Sequence, residues 1–247
     1  MWNLFNKKKK LLYPGFSWLQ RDIHNHLLPG IDDGSPDVET SIALVRDLAE
    51  AGIKDFVCSP HIIQDMYRNT PETINLALDK LNEAIRKEKI DVKISAWAEY
   101  MLDEFFVETL RSGKQLQCIS GKFILTELPL SVLPSNLESM AFEINTSGYH
   151  AVLAHPERYL YYHSRMESYT RLKELGFSLQ LNLLSLTGYY GPRILTAAKY
   201  LLKHDLIDYV GTDLHHFDHL RMLTEKSSIR IFEKYLGGRI WNTFDEV

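Results

Sequence analysis

The sequence predicts an α/β protein whose parallel strands close into a barrel. Three observations lead there. Short apolar or β-branched runs alternate with longer helical patterns, the runs are continuous rather than alternating in hydrophobicity, and histidines or acidic residues recur at the same end of nearly every run. Continuous runs suit parallel strands covered on both faces. Alternation of strand and helix is the pattern of repeated βα units.

Seven strands are expected, at Arg21–His24, Ile53–Ser59, Val92–Ala98, Lys122–Thr126, His150–Ala154, Ser178–Asn182 and Tyr209–Thr212. The first helix is marked by Ser35 as cap, Pro36 at the first helical position and Gly52 after the end, with Val38, Ile42, Val45 and Ala49 as its buried stripe. Thr70-Pro71 opens a second, striped by Ile74, Leu78, Leu81 and Ile85. Further helices are expected near Asp103–Arg111, Asn136–Thr146, Met166–Leu175, Pro192–Lys203 and Phe217–Tyr235. No linker, repeat or low-complexity tract interrupts the pattern, so residues 21–247 read as one barrel domain behind an extension over residues 1–20.

Composition narrows the function. With 247 residues, 45% of them hydrophobic and 24% charged, the chain can bury a sizeable core and is not a disordered or fibrous protein. A formal charge of -4 offers no general attraction to nucleic acid, and none is expected as a partner. No apolar run approaches the roughly 20 residues of a membrane-spanning helix. The start, including Lys7 to Lys10, lacks the apolar stretch of a secretory signal. That lysine run reads as a solvated tail, with a weak membrane-surface contact as the other reading. Cys58 and Cys118 form no Cys-x-x-Cys pair, which argues against a disulfide scaffold or thiolate zinc site and for a cytoplasmic setting.

The strand ends carry the chemistry. His24 and His26, then His61, Glu99, Glu127, His155, and finally Asp213 with His215 follow successive runs. The steps from His24 to His61, Glu99, Glu127 and His155 are 37, 38, 28 and 28 residues, and Asp213 follows 58 later. One βα unit takes about 30 residues. An open sheet would spread these groups along a line, whereas a barrel gathers them around one mouth. Imidazole and carboxylate without thiolate suit Mn, Fe, Zn or Mg. Eight such groups, nine with Asp33, exceed what one ion uses, so two or three ions are expected, acting on a bound water and on the charge of an in-line displacement at phosphorus. Arg158 could clamp two phosphate oxygens, the alternative being a surface ion pair with Glu157 or another carboxylate. Arg221 is a second candidate of that kind. The tyrosine pairs 161–162 and 189–190 read as packing and rim residues.

Asp-Ile-His-Asn-His (22–26), Asp-Asp-Gly (32–34), Ser-Pro-His (59–61), Ala-Glu-Tyr (98–100), Thr-Glu-Leu-Pro (126–129), Ala-His-Pro-Glu-Arg-Tyr (154–159) and Thr-Asp-Leu-His (212–215) occur in order. Together they resemble the polymerase-and-histidinol-phosphatase (PHP) superfamily, and within it the manganese-dependent protein tyrosine phosphatases of bacterial capsule and exopolysaccharide loci. The resemblance implies a distorted (β/α)7 barrel of PHP type and a trinuclear site, commonly Mn. It implies hydrolysis of phosphotyrosine, on the tail of a cognate kinase, by attack of a metal-bound hydroxide. It assigns His24, His26, Asp33, His61, Glu99, Glu127, His155, Asp213 and His215 as metal ligands, with Asp33, Arg158 and Arg221 in catalysis and the two arginines binding substrate. Arg221 sits about one residue out of the family's register. Cys58 lies inside a buried run and lacks the Cys-x5-Arg loop of thiol phosphatases. Two other readings stay open: a phosphoesterase of small metabolites or nucleic acid on the same scaffold, and a non-catalytic kinase-binding module.

Overall fold

The computed structural model describes residues 15, 16, 18, 19 and 21–244. The Lys7–Lys10 run, and the membrane-surface reading with it, lies outside the described residues. Among the described residues eight strands occur: β1 (Asp55–Cys58), β2 (His61–Ile62), β3 (Lys93–Ala96), β4 (Glu99–Met101), β5 (Phe123–Glu127), β6 (His150–Ala154), β7 (Ser178–Asn182) and β8 (Tyr209–Gly211). Every strand pairing is parallel, β1 with β3 and then β2-β4-β5-β6-β7-β8 in order. The two sets are one ladder with a short irregularity. Trp97 N donates to Cys58 O and Glu99 N to Pro60 O, both at 3.0 Å, across the gap between β1–β3 and β2–β4.

The segment 21–26 closes the ring. On one side Asp22 N donates to Asp55 O (2.9 Å), Val57 N to Asp22 O (2.8 Å) and Ser59 N to Asn25 O (2.9 Å). On the other, Asp213 N donates to His24 O (2.7 Å) and His26 N to Leu214 O (2.9 Å). The seven expected strands are therefore seven neighbours in a closed circle, two of them broken near their C-terminal ends.

The core divides as a barrel requires. Ile23, Val57, Trp97, Leu125, Val152 and Ala154 form a separate buried cluster inside the ring. Phe244 closes its lower end, stacked on Tyr209 at 4.9 Å and edge-on to Phe123 at 5.2 Å. A larger cluster, with Phe56, Leu48, Leu81 and Ile124, lies outside the ring under the helices. At about 1.5–3 kcal/mol for each large side chain fully buried, this outer layer is the main attachment of helices to sheet.

The helices are α1 (Val38–Glu50), α2 (Pro71–Lys87), α3 (Glu104–Arg111), α4 (Leu137–Thr146), α5 (Tyr169–Glu174), α6 (Pro192–Lys203), α7 (Phe217–Thr224) and α8 (Lys226–Leu236). Several expectations need correction. Ser35 does not cap α1, nor is Pro36 its first residue, because the helix begins only at Val38 and the Ser35 hydroxyl donates to Asp37 O at 3.0 Å. Asp37 caps instead, accepting from Thr40 N at 2.8 Å. The buried stripe of α1 is accordingly turned to Ser41, Leu44, Val45, Leu48 and Ala49, leaving Val38 and Ile42 half-buried. The Met166–Leu175 region starts as a 3-10 turn, Met166–Ser168, before α5.

The last expected helix is two, divided at Glu225, whose backbone is extended (φ -64, ψ 140). Their stripes explain the break. In one continuous helix the Leu220–Leu223 stripe would next fall near 227 and 230, about half a turn from the buried Ile229 and Phe232. Finally, β3 is not covered on both faces: Lys93 and Ser95 are exposed, and only Ile94 and Ala96 pack on the core.

Candidate metal centre

The C-terminal ends of the ring bring all nine candidate ligands to one mouth. Four overlapping groups have their ligand atoms within 4.8 Å of one another: His26, Asp33, His61 and His215; His24, His26 and Asp213; His24, Glu99 and His155; His61, Glu99 and Glu127. Glu99 is the hub. Its Oε2 lies 3.2 Å from both His24 Nε2 and His61 Nδ1, and its Oε1 lies 3.2 Å from His155 Nε2. His24, His26 and Glu99 are completely buried, whereas Asp33 lies at the solvent side with half its side chain exposed.

Local backbone geometry aims these groups. His155 and Asp213 sit just beyond β6 and β8 with left-handed φ of 38 and 50. Such a conformation costs a non-glycine residue on the order of 1–3 kcal/mol and persists only where surroundings impose it. Here a backbone bond holds each: His155 N donates to Gln180 O (2.7 Å) and Asp213 N to His24 O. Gly211 leaves room for His24, since a Cβ there would come 2.5 Å from His24 Cβ. Gly34 is equally constrained, with a Cβ falling 2.1 Å from His26 O.

A second row of residues orients the first. His24 Nδ1 bonds Gln180 Oε1 at 2.6 Å, His26 Nδ1 bonds Asp32 Oδ2 at 2.8 Å, and Asn182 Nδ2 donates to Asp213 Oδ2 at 2.5 Å. With the far nitrogen engaged, each ring presents Nε2 inward, the arrangement by which metal-binding histidines are oriented. Sequence reasoning missed Asp32, Gln180 and Asn182. A signal existed in β7, where Gln180 and Asn182 alternate with leucines and are themselves fully buried.

The set fits divalent cations on three counts. The donors are imidazole and carboxylate, with no sulfur among them. His24 Nε2 and His26 Nε2 lie 3.4 Å apart and face the same carboxylates, which one proton cannot satisfy together. Glu99 Oε1, Glu127 Oε1 and His61 Nδ1 are buried without a directed hydrogen bond, although His61 Nδ1 and Glu127 Oε1 are only 3.0 Å apart. Groups that approach without hydrogen-bond direction are those aimed at a common third atom.

Protonation follows the same crowding. Burial works against a charged His24, but Glu99 and Asp213 outweigh it and raise the group to about 9. Despite burial, His24 and His61 hold the Glu99 carboxyl well below its usual range, and His24 and His215 do the same for Asp213. His215 goes the other way, lowered to about 4 by burial and by the neighbouring His26. Charged imidazoles thus balance buried carboxylates that would otherwise be costly. Cations would take over that balance and release the protons.

The mouth opens into a cleft of about 550 Å³ lined by Asp33, His61, Tyr67, His155, Arg158 and Tyr190 among others. Arg158 Nη1 donates to Asp213 Oδ2 at 2.9 Å, and its guanidinium lies over the Tyr190 ring at 4.9 Å. It does not pair with Glu157, which is buried and accepts from Asn182 N and Ser185 Oγ. Arg221, expected in catalysis and substrate binding, is not brought to the cleft with the other candidates. It projects from α7 into solvent, pairs with Asp218 at 3.1 Å and does not line the cleft. His219, one turn into the same helix, lines it instead and bonds Asp213 O through Nδ1 at 3.1 Å. Cys58 is fully buried and burial pushes its thiol up, the opposite of an activated nucleophile.

Known proteins resemble this chain in sequence and in fold. The family profile described as capsular polysaccharide synthesis, CpsB/CapC, matches residues 20–243. Tyrosine-protein phosphatase YwqE of Bacillus subtilis is 29% identical over 219 residues, spanning 89% of this chain and 86% of that protein. Tyrosine-protein phosphatase CpsB of Streptococcus pneumoniae is 25% identical over 221 residues, spanning 87% and 90%. A chain from the crystal structures of YwqE and CpsB, described there as metal-dependent tyrosine phosphatases, superposes with a TM-score of 0.80 at 28% identity, covering 90% of this chain and 89% of the other. Histidinol phosphate phosphatase of Lactococcus lactis, at 13% identity and a TM-score of 0.51, shares the fold.

Proposed function

Because the chain belongs to the capsular polysaccharide synthesis CpsB/CapC family, we propose that it is a metal-dependent phosphatase of phosphotyrosine in proteins. The observation that carries this is the convergence of nine nitrogen and oxygen ligands, with no thiolate, at one end of a closed barrel. Two or three ions, most simply Mn2+, would be held among the overlapping groups His26, Asp33, His61 and His215; His24, His26 and Asp213; His24, Glu99 and His155; and His61, Glu99 and Glu127. Bound there, they would acidify a coordinated water and offset charge on the phosphoryl oxygens.

The chain's own groups do the rest. Gln180 and Asp32 keep the inner imidazoles turned toward the ligand cluster. Arg158, anchored on Asp213, presents its remaining N–H groups to the phosphoryl oxygens as they gain charge. The natural substrate in this reading is the phosphorylated tail of a tyrosine kinase that controls capsule or exopolysaccharide synthesis, within the cytoplasm. Two unpaired cysteines are consistent with that compartment, and no helix of the described residues is long and apolar enough to cross a membrane. Residues 21–247 serve as a single catalytic domain in this proposal, supported by the one ring of strands and by the span of the family match.

The deciding experiment combines metal analysis with turnover of a phosphotyrosine peptide, histidinol phosphate and a short oligonucleotide. Peptide turnover should survive thiol alkylation and vanish with chelator. His24→Ala should lose several orders of magnitude, on the order of 10³-fold or more, as expected when a metal site is broken. Near-wild-type turnover by that variant, or inactivation by alkylation alone, would refute the mechanism.

A further inference from the structure

We infer that Tyr190 is a positioning residue for Arg158, fixing the plane of its guanidinium at the wall of the cleft; the inference rests on the phosphatase reading above. Arg158 lies at the end of the short 3-10 turn Pro156–Arg158 that follows His155. Its directed side-chain bond among the described residues, Nη1 to Asp213 Oδ2, is an anchor about which the guanidinium plane can swing. The Tyr190 ring removes that freedom by lying under Cζ at 4.9 Å. Tyr190 is itself braced edge-on by Tyr189, with centroids 5.0 Å apart and an interplanar angle of 87°.

The hydroxyl is buried and makes no hydrogen bond among the described residues, whereas the ring face meets the guanidinium. A ring under a guanidinium attracts it electrostatically while leaving its N–H edge free for oxygen acceptors. Tyr190 lines the same cleft as Arg158, Asp213 and His155. In this inference the ring acts on substrate through the arginine.

The test uses metal-loaded full-length protein and five forms: wild type, Tyr190→Phe, Tyr190→Leu, Arg158→Ala and the Arg158→Ala/Tyr190→Leu double variant. Tyr190→Leu should lower kcat/KM for a phosphotyrosine peptide roughly tenfold and weaken inhibition by inorganic phosphate by a similar factor, the scale of one desolvated cation–π contact, with metal content unchanged. Tyr190→Phe, which keeps the ring, should retain at least about a third of wild-type kcat/KM. The double variant should be no worse than Arg158→Ala alone, because the tyrosine has nothing left to position. Wild-type behaviour of Tyr190→Leu, equal losses in the Phe and Leu variants, or additive losses in the double variant would each overturn the inference while leaving the phosphatase reading intact. A wild-type protein inert toward the peptide would overturn the phosphatase reading first, and this inference with it.

Discussion

At the scale of single residues, the centre is a problem of aiming. His24 is held by Gln180, which bonds Nδ1 at 2.6 Å, and its Cβ occupies the space that the glycine at 211 leaves. Gln180→Leu keeps the bulk but removes the acceptor, and should reduce metal affinity or turnover about 10–100-fold, the usual cost of losing an outer-shell partner. Metal titration followed by calorimetry would check it, and an unchanged affinity would show that Gln180 does not orient the ring. Gly211→Ala should be at least as damaging. Its methyl would meet His24 Cβ at 2.5 Å and Gln180 Nε2 at 2.9 Å, so the ring must shift away from Glu99. A crystal structure of that variant with His24 undisplaced would sink the prediction.

At the scale of elements, strands were easier to read than helix ends. Short runs located the seven barrel segments, although Lys93 and Ser95 of β3 are exposed and β7 alternates leucines with Gln180 and Asn182. Helix starts depended on which polar residue the surrounding loop left free. Asp103 remained available to α3, where its carboxylate accepts from Phe106 N at 2.8 Å, whereas Ser35 was drawn into the loop bonds with His26 and Gly30. Asp103→Ala should cost about 1 kcal/mol, a fall in melting temperature of about 2–4 °C for a chain of this size. Thermal unfolding followed by circular dichroism would measure it, and turnover should hardly change because Asp103 lies outside the cleft lining.

At the scale of the whole molecule, the site exists because the ring closes. Asp22 is buried at the seam and joins its first and last segments, accepting from Thr212 N, from Thr212 Oγ1 and from Asn25 Nδ2. Those bonds place His24 and His26 beside Asp213, residues almost two hundred positions apart in the chain. Cations bound at the mouth would tie several strand ends together and favour the folded state by mass action. At a metal concentration 1,000 times Kd the gain is about 4 kcal/mol for each site. Melting temperature should therefore rise by several degrees on adding MnCl2 to chelator-treated protein and fall back with EDTA. No change would mean that the mouth holds no metal strongly enough to matter.

The order and spacing of His24, His61, Glu99, Glu127, His155 and Asp213 along the chain already determined the fold class and the kind of chemistry. A ligand at each successive strand end is a local pattern that only a closed ring makes useful. What only the tertiary structure decided was who faces whom. Arg158 turned to Asp213 and not to Glu157, Arg221 turned to solvent, and Gln180, Asn182 and Asp32 proved to be the supports of the inner row. The reason is physical: side-chain direction at a strand end depends on the backbone bend there and on hydrogen bonds from strands far away in sequence, and neither is written in the residues nearby.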